Sequence, residues 1–360
     1  MTGSSGVGVR RGSRTDMLTR MAWVELLHSK KRVRRAGELI GGGEGTPEEI
    51  AEARDIISNF RSSHSYPLLS VTVHVRRNAL KVNPDAVVAR RSKRLPTILD
   101  KLERHPLMAV DSMQDMGGCR VVLDSVDEVS ALVERLSNVK RAKNTIHKRY
   151  DYISGPQETG YRGQHLVYSY QASKVAYQGH KIEVQIRTEL MHSWATAVET
   201  MDLFAGTRLK YGEGPDDLKR YFAITSGLMA IQEGTAPVPG VEGDLTALRW
   251  ELLQLDRDHR IIERLLSYSA VASQLPSSDR RSTILLRLDR RSGQLSVGSF
   301  ETHADAEARL AEIEAMNDDD MDVVLVVISK IEQLQSAYPN YFANTEAFVN
   351  FVDSQYDEIE

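Results

Sequence analysis

The stretch Lys181–Thr188 reads KIEVQIRT and decides the fold class of this sequence. It alternates strictly between apolar and polar residues, which is the pattern of a β-strand whose successive side chains point to opposite faces of a sheet. The apolar residues therefore face a core, whereas Glu183, Gln185 and Arg187 share the other face. A carboxylate, an amide and a guanidinium in one row indicate a polar floor, although polar residues of an isolated alternating strand commonly just face solvent.

Further strands and helices flank this stretch. A strand is predicted at 118–123, and another at about 164–171 is joined to the KIEVQIRT strand by a turn near residue 178. Helical patterns lie near 92–104, 126–137 and 189–204. The sequence therefore predicts an α+β fold in which a mixed sheet is flanked by helices.

The residues before 80 contain one clear helix signal and one ambiguous segment. A helix predicted at 16–39 is broken by four glycines in 40–45, and Thr46, Pro47 and Glu49 then read as an N-cap, a first-turn proline and a capping-box glutamate. A second helix should follow to about residue 60. The segment 66–76 has valines at alternate positions and predicts a strand or an extended lead-in.

Composition divides the chain into two domains. Residues 1–15 are rich in Gly, Ser and Arg and predict a disordered basic arm, and residues 234–243, with two prolines and three glycines, predict a linker. We therefore expect one domain at 16–233 and a second, smaller α+β domain at 244–360. The second domain should hold a helix at 244–268, a hairpin at 284–288 and 295–300, a helix at 303–316, a strand at 323–328 and terminal helices.

Composition also indicates the cellular compartment of the protein. The longest apolar run, at 323–328, is far shorter than the roughly 20 residues that span a bilayer, and the first 20 residues lack an apolar signal segment. The single cysteine, Cys119, excludes an internal disulfide, and no Cys/His cluster has zinc spacing. We expect a soluble, cytoplasmic protein without membrane contact.

Charge is unevenly distributed along the chain, although the net charge is only -4. Residues 10–35 hold nine Lys/Arg against two acids, and residues 140–149 hold five against none. Residues 301–322 instead carry nine Asp/Glu against one Arg. The basic half favours phosphate-rich ligands, and the acidic segment is suited to docking on that basic surface; the alternative is that both charged faces are merely solvated.

Two carboxylates are candidates for a magnesium site. Asp115 stands just before the strand at 118–123, where a neighbouring strand would bring it toward Glu183. Mg²⁺ prefers oxygen ligands and keeps its remaining positions for water and phosphate, so two carboxylates from separate elements suit a metal held against a nucleotide triphosphate. Arg91, Lys93 and Lys101 add cations able to grip phosphates. No Gly-x-x-x-x-Gly-Lys-Ser/Thr loop occurs, which argues against a P-loop kinase.

These residues together resemble the RelA/SpoT synthetase domain over roughly residues 60–205. Four blocks occur in the family's order and spacing: Arg-x-Lys with a second lysine eight residues on (Arg91, Lys93, Lys101), Asp-x-x-Gly-x-Arg (Asp115, Gly118, Arg120), Asp-Tyr-Ile-x-x-Pro with Gly-Tyr and His (151–156, Gly160, Tyr161, His165), and Glu-x-Gln-Ile-Arg-Thr (183–188) before a helix with Met191, His192, Trp194 and Ala195. No His-Asp dipeptide occurs, so the family's hydrolase half is expected to be absent.

The resemblance implies a pyrophosphokinase that moves the β,γ-pyrophosphate of ATP to a 3′-hydroxyl group. By this analogy the ATP is held by Arg91, Lys93, Lys101 and Arg120, and Mg²⁺ by Asp115 and Glu183, the two catalytic residues. Tyr161 would stack on the acceptor base with His165 nearby, and Glu183 would also take the hydroxyl proton. A pyrophosphoryl group with spreading charge needs metal and fixed cations more than a covalent nucleophile, which agrees with this residue set.

The acceptor side departs from the family pattern. Alarmone synthetases usually carry a lysine where this chain has Gln157, and a second acceptor-side lysine is replaced by Tyr150. Gln157 and Glu158 suit the phosphates of GDP or GTP poorly, whereas the basic segments, with Lys148 and Arg149, suit an extended polyanion. We therefore expect tRNA as the acceptor, with GDP or GTP as the alternative.

A second resemblance concerns the toxic small RelA/SpoT branch, and within it the fused toxin-antitoxin CapRel type. Residues 30–38 and 59–68 carry this resemblance. It implies pyrophosphate transfer to the 3′ CCA end of tRNA, translation inhibition and a role in phage defence. It also implies self-inhibition through a Tyr-x-x-Tyr element, which Tyr338 and Tyr341 match, and relief by an external protein that binds the C-terminal domain. The alternative of another class is an inactive sensor or interaction module.

Overall fold

The structure is a computed structural model of the chain and describes most of its residues. They are 23–138, 144–269, 282–289, 292, 294–300, 302–316, 318, 320–328 and 344–359. The predicted basic arm at 1–15 and the pair Tyr338 and Tyr341 lie outside them. No helix in the described part of the chain is long and apolar enough to cross a membrane.

An eight-stranded mixed sheet forms the centre of the described residues. Its spatial order is β3-β4-β5-β2-β1-β8-β6-β7. Only β2 and β5 run parallel; every other neighbouring pair is antiparallel. The strands are β1 (Val87–Ser92), β2 (Gly117–Leu123), β3 (Asn144–Asp151), β4 (Gln164–Tyr170), β5 (Lys181–Thr188), β6 (Ser282–Asp289), β7 (Gln294–Phe300) and β8 (Met321–Ile328).

Helices flank this sheet, as the sequence predicted, so the α+β fold class is confirmed. The capping box at Thr46 and Glu49 starts the second helix, with Pro47 in its first turn. The helices are α1 (Lys30–Gly42), α2 (Pro47–Ser62), α3 (Ser65–Val82), α4 (Leu95–Arg104), α5 (Val126–Ser137), α6 (Glu189–Ala205), α7 (Asp216–Gln232), α8 (Leu245–His259), α9 (Ile261–Ser269), α10 (His303–Ala315) and α11 (Glu346–Asp357).

Strand β5 has the two faces that its alternation predicts. Its apolar residues, together with β2 and β4, pack against α3 and α5 in one hydrophobic core. Glu183 and Gln185 lie on the opposite face, and Arg187 on that face is buried under the loop that precedes β4. A second core lies among α6, α7, α8, α9 and α11, and it is built around Trp194, Phe222 and Phe348.

The segment 66–76 is helical, so the prediction of a strand or extended lead-in is wrong. It belongs to α3, in which Leu68, Val71, Val75 and Ala79 are buried at helical spacing. Val73, the middle member of the alternating valines, is 43% exposed. Three β-branched residues at alternate positions fit a strand as well as a helix over so short a window, and here tertiary packing selected the helix.

Helix ends differ from the predictions at two further places. Of the helix predicted at 16–39, residues 16–22 lie outside the described residues, residues 23–29 are not helical, and the first described helix begins at Lys30 after Ser29 caps it. The helix predicted at 244–268 is two helices, because Arg260 adopts a left-handed backbone conformation with φ of 50°. Strand β3, at the sheet edge, was not predicted because its polar sequence, NTIHKRYD, lacks apolar alternation.

Residues on both sides of 234–243 build the same sheet. Strand β8 pairs with β1, with Arg90 opposite Val327 and Arg91 opposite Val326. Residues Val238 and Val241 of the predicted linker are themselves buried. The domain boundaries remain a prediction, and the hydrogen bonds between β8 and β1 bring the C-terminal strands beside the candidate site.

Candidate active site

The strand register builds one polar floor from residues far apart in the sequence. Residues directly opposite each other on neighbouring strands point to the same face of a sheet. Two such rows cross the floor. The first contains Tyr150, His165, Gln185 and Arg120, and the second contains Lys148, Val167, Glu183, Gly118 and Arg91.

Asp115 lies among the predicted cations. Its Oδ2 is 2.5 Å from Lys93 Nζ, and its Oδ1 is 3.6 Å from Lys101 Nζ. Burial raises the pKa of Asp115, but the two lysines more than offset this effect and hold the pKa below its ordinary value. Asp115 is therefore ionised at neutral pH, and its two lysines lie within reach of any phosphate that approaches the carboxylate.

Glu183 lies between this cationic group and a histidine. Its Oε1 accepts a hydrogen bond from His165 Nδ1 at 3.0 Å, and its Oε2 accepts one from Gln185 at 2.8 Å. Burial and the nearby Asp115 raise the pKa of Glu183, whereas His165 and Gln185 lower it, and the net pKa lies below the ordinary value. Glu183 is thus an ionised carboxylate held in a fixed orientation.

A third carboxylate, Glu199, was missed by the sequence reasoning. It lies on α6, and its Oε1 is 3.9 Å from the guanidinium of Arg120. Burial raises the pKa of Glu199, but Arg120, Arg91 and other nearby cations lower it to about 2. A signal was present in the sequence, because Glu199 is the only Asp, Glu, Lys or Arg between Glu189 and Asp202.

Most of these groups line a cleft of about 860 Å³. Its lining includes Arg91, Lys93, Arg120, Asp115, Glu183 and Glu199, together with Arg208, Lys210 and Tyr211 from the loop after α6. Residues of α10 and β8, among them Glu314 and Asp322, form another part of the wall. A cleft of this size accommodates a nucleotide triphosphate, and its cations are suited to binding phosphates.

Tyr161 and His165 lie on the opposite side of Glu183. The Tyr161 hydroxyl is 2.5 Å from His165 Nε2 and accepts a hydrogen bond from Arg187 Nη2 at 2.7 Å. Burial raises the pKa of Tyr161 despite the adjacent Arg187, so the hydroxyl keeps its proton. The network assigns the histidine tautomer: Tyr161 donates to Nε2, and Nδ1–H donates to Glu183.

The loop that carries Tyr161 is held by residues that sequence reasoning also missed. Arg162 is 2% exposed and donates to Ser226 at 3.1 Å and to Glu233 at 2.6 Å. Gly160 has a φ of +92°, and a Cβ atom there would lie 3.0 Å from Trp194 and from Ser226. This loop therefore fits closely against α6 and α7, which fixes the position of the Tyr161 backbone.

Lys148 and Arg149, both predicted to bind the acceptor, lie on opposite faces of β3. Lys148 is opposite Val167, in the row that contains Glu183, whereas Arg149 is opposite the core residue Leu166. Both side chains are exposed. The structure therefore brings Lys148 to the polar floor and does not bring Arg149 there.

The two predicted metal ligands are suited to Mg²⁺. Both are ionised carboxylates on the cleft wall, and the buried Oδ1 of Asp115 has no hydrogen-bond partner. Among the described residues no group of three or more His, Cys, Asp or Glu forms a closed metal site. Two carboxylates leave the remaining positions to phosphate and water, which is the ligand set of Mg²⁺ bound with a nucleotide.

Comparison with known protein families gives a match over part of the chain. Residues 90–202 match the family described as a region found in RelA / SpoT proteins. The matched segment includes Arg91, Lys93, Lys101 and Asp115, together with Arg120, Tyr161, His165, Glu183 and Glu199.

Similar proteins include two curated relatives and a solved structure. GTP pyrophosphokinase YjbM of Bacillus subtilis is 35% identical over 123 residues, which cover 33% of this chain and 57% of that protein. An uncharacterized protein of Mycobacterium tuberculosis is 25% identical over 205 residues, which cover 56% of this chain and 67% of that protein. The crystal structure of small alarmone synthetase 1 from Bacillus subtilis bound to its product pppGpp is 26% identical, with a TM-score of 0.41, and the match covers 48% of this chain and 89% of that chain.

Proposed function

We propose that this chain is an ATP-dependent pyrophosphokinase that transfers the β,γ-pyrophosphate of ATP to a 3′-hydroxyl group. The single observation that carries the proposal is the position of Glu183. This ionised carboxylate has Asp115, Lys93 and the rest of the cationic group on one side, and the Tyr161–His165 pair on the other. A transfer reaction between two bound nucleotides needs this arrangement.

The reaction needs charge stabilisation and positioning rather than a covalent intermediate. The acceptor oxygen forms a bond to the β-phosphorus of ATP, and the bond from that phosphorus to the oxygen bridging to the α-phosphate breaks. AMP leaves with that oxygen, and the hydroxyl proton passes to a base. Arg91, Lys93, Lys101 and Arg120 would hold the phosphates and stabilise the charge that develops on them.

Asp115 and Glu183 would hold Mg²⁺, which supplies further charge neutralisation on the phosphates when bound. Glu183 also has the orientation of a proton acceptor, because His165 Nδ1–H and Gln185 fix both of its oxygens. His165 is in turn oriented by the Tyr161 hydroxyl. Tyr161 would present its ring to the base of the acceptor, adjacent to the carboxylate that receives the proton.

For the acceptor we propose the 3′ CCA end of tRNA. Gln157, which stands where alarmone synthetases carry a lysine, forms a side-chain hydrogen bond with Tyr152, and the neighbouring Glu158 is an exposed acid. Neither residue supplies a cation for a 5′-diphosphate. GDP or GTP is the second candidate, favoured by the name of the Bacillus relative, a GTP pyrophosphokinase.

We also propose that the C-terminal residues inhibit the enzyme, as in a self-inhibited toxin-antitoxin protein. An external protein that binds them would relieve this inhibition. Glu314 on α10 accepts hydrogen bonds from Arg61 at 2.7 Å and from the backbone N–H of Leu95 at 3.1 Å, where α4 begins. Asp322 on β8 forms an ion pair with Arg94. These carboxylates lie on the cleft wall and contact groups that would attract the phosphates of ATP.

One experiment tests the proposed function. The purified chain is incubated with Mg²⁺, γ-radiolabelled ATP and one acceptor at a time: deacylated tRNA, tRNA with an oxidised 3′ end, GDP or GTP. We expect stoichiometric AMP release and label in deacylated tRNA only. Label in GDP or GTP would replace the tRNA proposal by alarmone synthesis, and no labelled acceptor under any condition would favour a sensor or interaction module.

A further inference from the structure

We propose that Tyr150, Tyr152 and Tyr161 form an aromatic strip that binds unpaired bases of an oligonucleotide upstream of its reacting 3′ nucleotide. This inference rests on the proposed transfer reaction and extends it by a second base-binding position. The strip begins beside Glu183 and runs toward β3, the edge strand of the sheet. A mononucleotide acceptor would contact its first ring only.

The three rings are in continuous contact. Tyr150 and Tyr152 are stacked, with their centroids 5.9 Å apart and only 3° between their planes. Tyr152 in turn meets Tyr161 edge to face at 5.6 Å and His165 at 5.3 Å. Because His165 donates to Glu183, the strip leads directly from the proposed reaction centre.

Polar contacts hold the two outer rings in place. The Tyr150 hydroxyl donates to Gln114 Oε1 at 3.1 Å, and Tyr152 forms a hydrogen bond with the side chain of Gln157. Both tyrosines are only partly buried. Their hydroxyl groups are therefore satisfied by the protein while ring surface remains accessible, and such preorganised aromatic side chains lose little entropy on binding.

The register gives the strip a direction. Tyr150 is opposite His165 on β4, and Lys148 lies two residues earlier on the same face of β3. An acceptor whose terminal base stacks on Tyr161 would place its preceding bases toward Tyr152 and Tyr150, and a phosphate of its backbone toward Lys148. The exposed His147 beside Lys148 adds a further polar group at this edge.

The combination identifies the class of ligand. Successive bases stack on aromatic side chains in proteins that bind single strands, and nearby cations contact the backbone phosphates. Base–aromatic stacking tolerates any base, so the strip would require unpaired nucleotides rather than a particular sequence. A single-stranded 3′ end fits this requirement, whereas a paired end would keep its bases stacked on each other.

An acceptor series tests the inference. The acceptors are AMP, the dinucleotide CpA and the trinucleotide CpCpA, each with a 5′-phosphate and a free 3′-hydroxyl group, and the readout is kcat/KM for label transfer from γ-radiolabelled ATP. For the wild-type chain we expect kcat/KM to rise about fivefold or more from AMP to CpCpA, the lower end of what one base–aromatic stack contributes.

Variants at Tyr150 test whether its ring stacks on a base of the acceptor or only packs within the protein. Tyr150→Ala should lose the gain from AMP to CpCpA and keep the kcat/KM for AMP, whereas Tyr150→Phe, which keeps the ring and loses only the Gln114 contact, should keep the gain. Equal kcat/KM for all three acceptors in the wild-type chain would overturn the proposal. A Tyr150→Ala variant that lowers every acceptor equally would make the ring a packing element and would overturn it too.

A binding measurement distinguishes failure of the strip from failure of the proposed function. Fluorescence anisotropy of CpCpA with a 5′-fluorescein group is measured with the wild-type chain and with Tyr150→Ala, both without ATP. Weaker binding by the alanine variant, by about fivefold, supports the strip even if no acceptor is labelled. Equal binding by the two proteins contradicts it, even if transfer to tRNA occurs.

Discussion

The two sides of Glu183 differ in how they are built. On one side, cations are held by carboxylates: Lys93 and Lys101 by Asp115, and Arg120 by Glu199. On the other side, aromatic rings contact each other and their hydroxyl groups are satisfied by neutral side chains or by Arg187. The first side suits a highly charged, metal-bound polyphosphate, and the second suits the base of an acceptor.

The groups suited to binding phosphates and the groups suited to binding a base therefore lie on opposite sides of one residue of β5, Glu183. The cationic side depends on ion pairs that respond to pH and to competing acids, whereas the aromatic side depends on contact area and loop position. Substitutions on the cationic side should therefore affect kcat/KM for ATP most, and those on the aromatic side kcat/KM for the acceptor. Equal effects on both constants from both sides would contradict this difference.

The largest effect is expected at Asp115 and Glu183, the two proposed metal ligands. Asp115→Asn or Glu183→Gln should lower transfer by at least about a thousandfold, roughly 4 kcal/mol in the barrier, because each removes a proposed metal ligand. Transfer is measured with saturating ATP and acceptor, and thermal unfolding checks the fold. Glu189→Gln, an exposed acid directly after β5, is the matched control. Activity of either site variant within about tenfold of wild type would show that the proposed pair of metal ligands is wrong.

The next effect concerns the acids that reach the cationic side from α10 and β8. Glu314→Gln with Asp322→Asn removes their contacts with Arg61 and Arg94, and we expect kcat/KM for ATP to rise about tenfold as phosphates compete more easily for the cleft. Glu312→Gln is the control, because this exposed acid lies on the same helix and pairs with Arg309 instead.

An unchanged or lower kcat/KM in the folded double variant would argue against inhibition by these two acids. Point substitutions are preferable to deletion of residues 270–360. The deletion would remove Phe348, Phe351 and Val352 from the core formed with α6 and α7, and the large cost of emptying a core would obscure any gain in activity.

A smaller effect is expected for Lys148 and Arg149, which lie on opposite faces of β3. Lys148→Ala should lower kcat/KM for a tRNA acceptor about fivefold and reduce its dependence on salt concentration by about one unit of log–log slope, as expected for one lost phosphate contact. Arg149→Ala, on the opposite face, should lower kcat/KM less than about twofold. The reverse order would mean that the acceptor approaches from the other face of the edge strand.

The smallest effect concerns stability in acid. The folded-state pKa of Glu199 is about 2, below its ordinary value, so the unfolded chain binds the proton first as the pH falls. The stabilisation by Glu199 is therefore complete above about pH 4.5 and is lost as the pH falls toward 2. As the pH falls from about 4.5 to 3, the free energy of unfolding should decrease by about 1 kcal/mol less in Glu199→Gln than in wild type. Urea titration at each pH measures this free energy. The same decrease in the two proteins would show that Arg120 does not hold this carboxylate in solution.

Sequence reasoning found the residues of the cationic side because they occur in short motifs. Asp115, Arg120 and Glu183 lie on or next to strands whose alternation was readable, so their common face followed from the pleat. The partner of Arg120 was not found, since Glu199 lies on a helix some 80 residues away in sequence, and only the packing of α6 on the sheet brings the two together.

The aromatic side was less accessible to the same reasoning. Strand β3 has no apolar alternation because it is an exposed edge, and its pairing with β4 is what aligns Tyr150 with His165. The register also separated Lys148 from Arg149, which adjacent positions in a sequence cannot show without the strand being recognised. Arg162 and Glu233, which hold the Tyr161 loop, pair across 71 residues and follow no local motif.

The most direct test of the two-sided site is a crossed binding measurement by isothermal titration. Arg91→Ala and Tyr161→Ala are each titrated with α,β-methylene ATP, which cannot donate pyrophosphate, and with deacylated tRNA. The account predicts that Arg91→Ala weakens binding of the ATP analogue by about tenfold or more and changes tRNA binding less than about twofold, and that Tyr161→Ala does the opposite, by the roughly 1 to 3 kcal/mol of one base–aromatic stack. If both variants weaken the same ligand equally, ATP and the acceptor do not bind on opposite sides of Glu183.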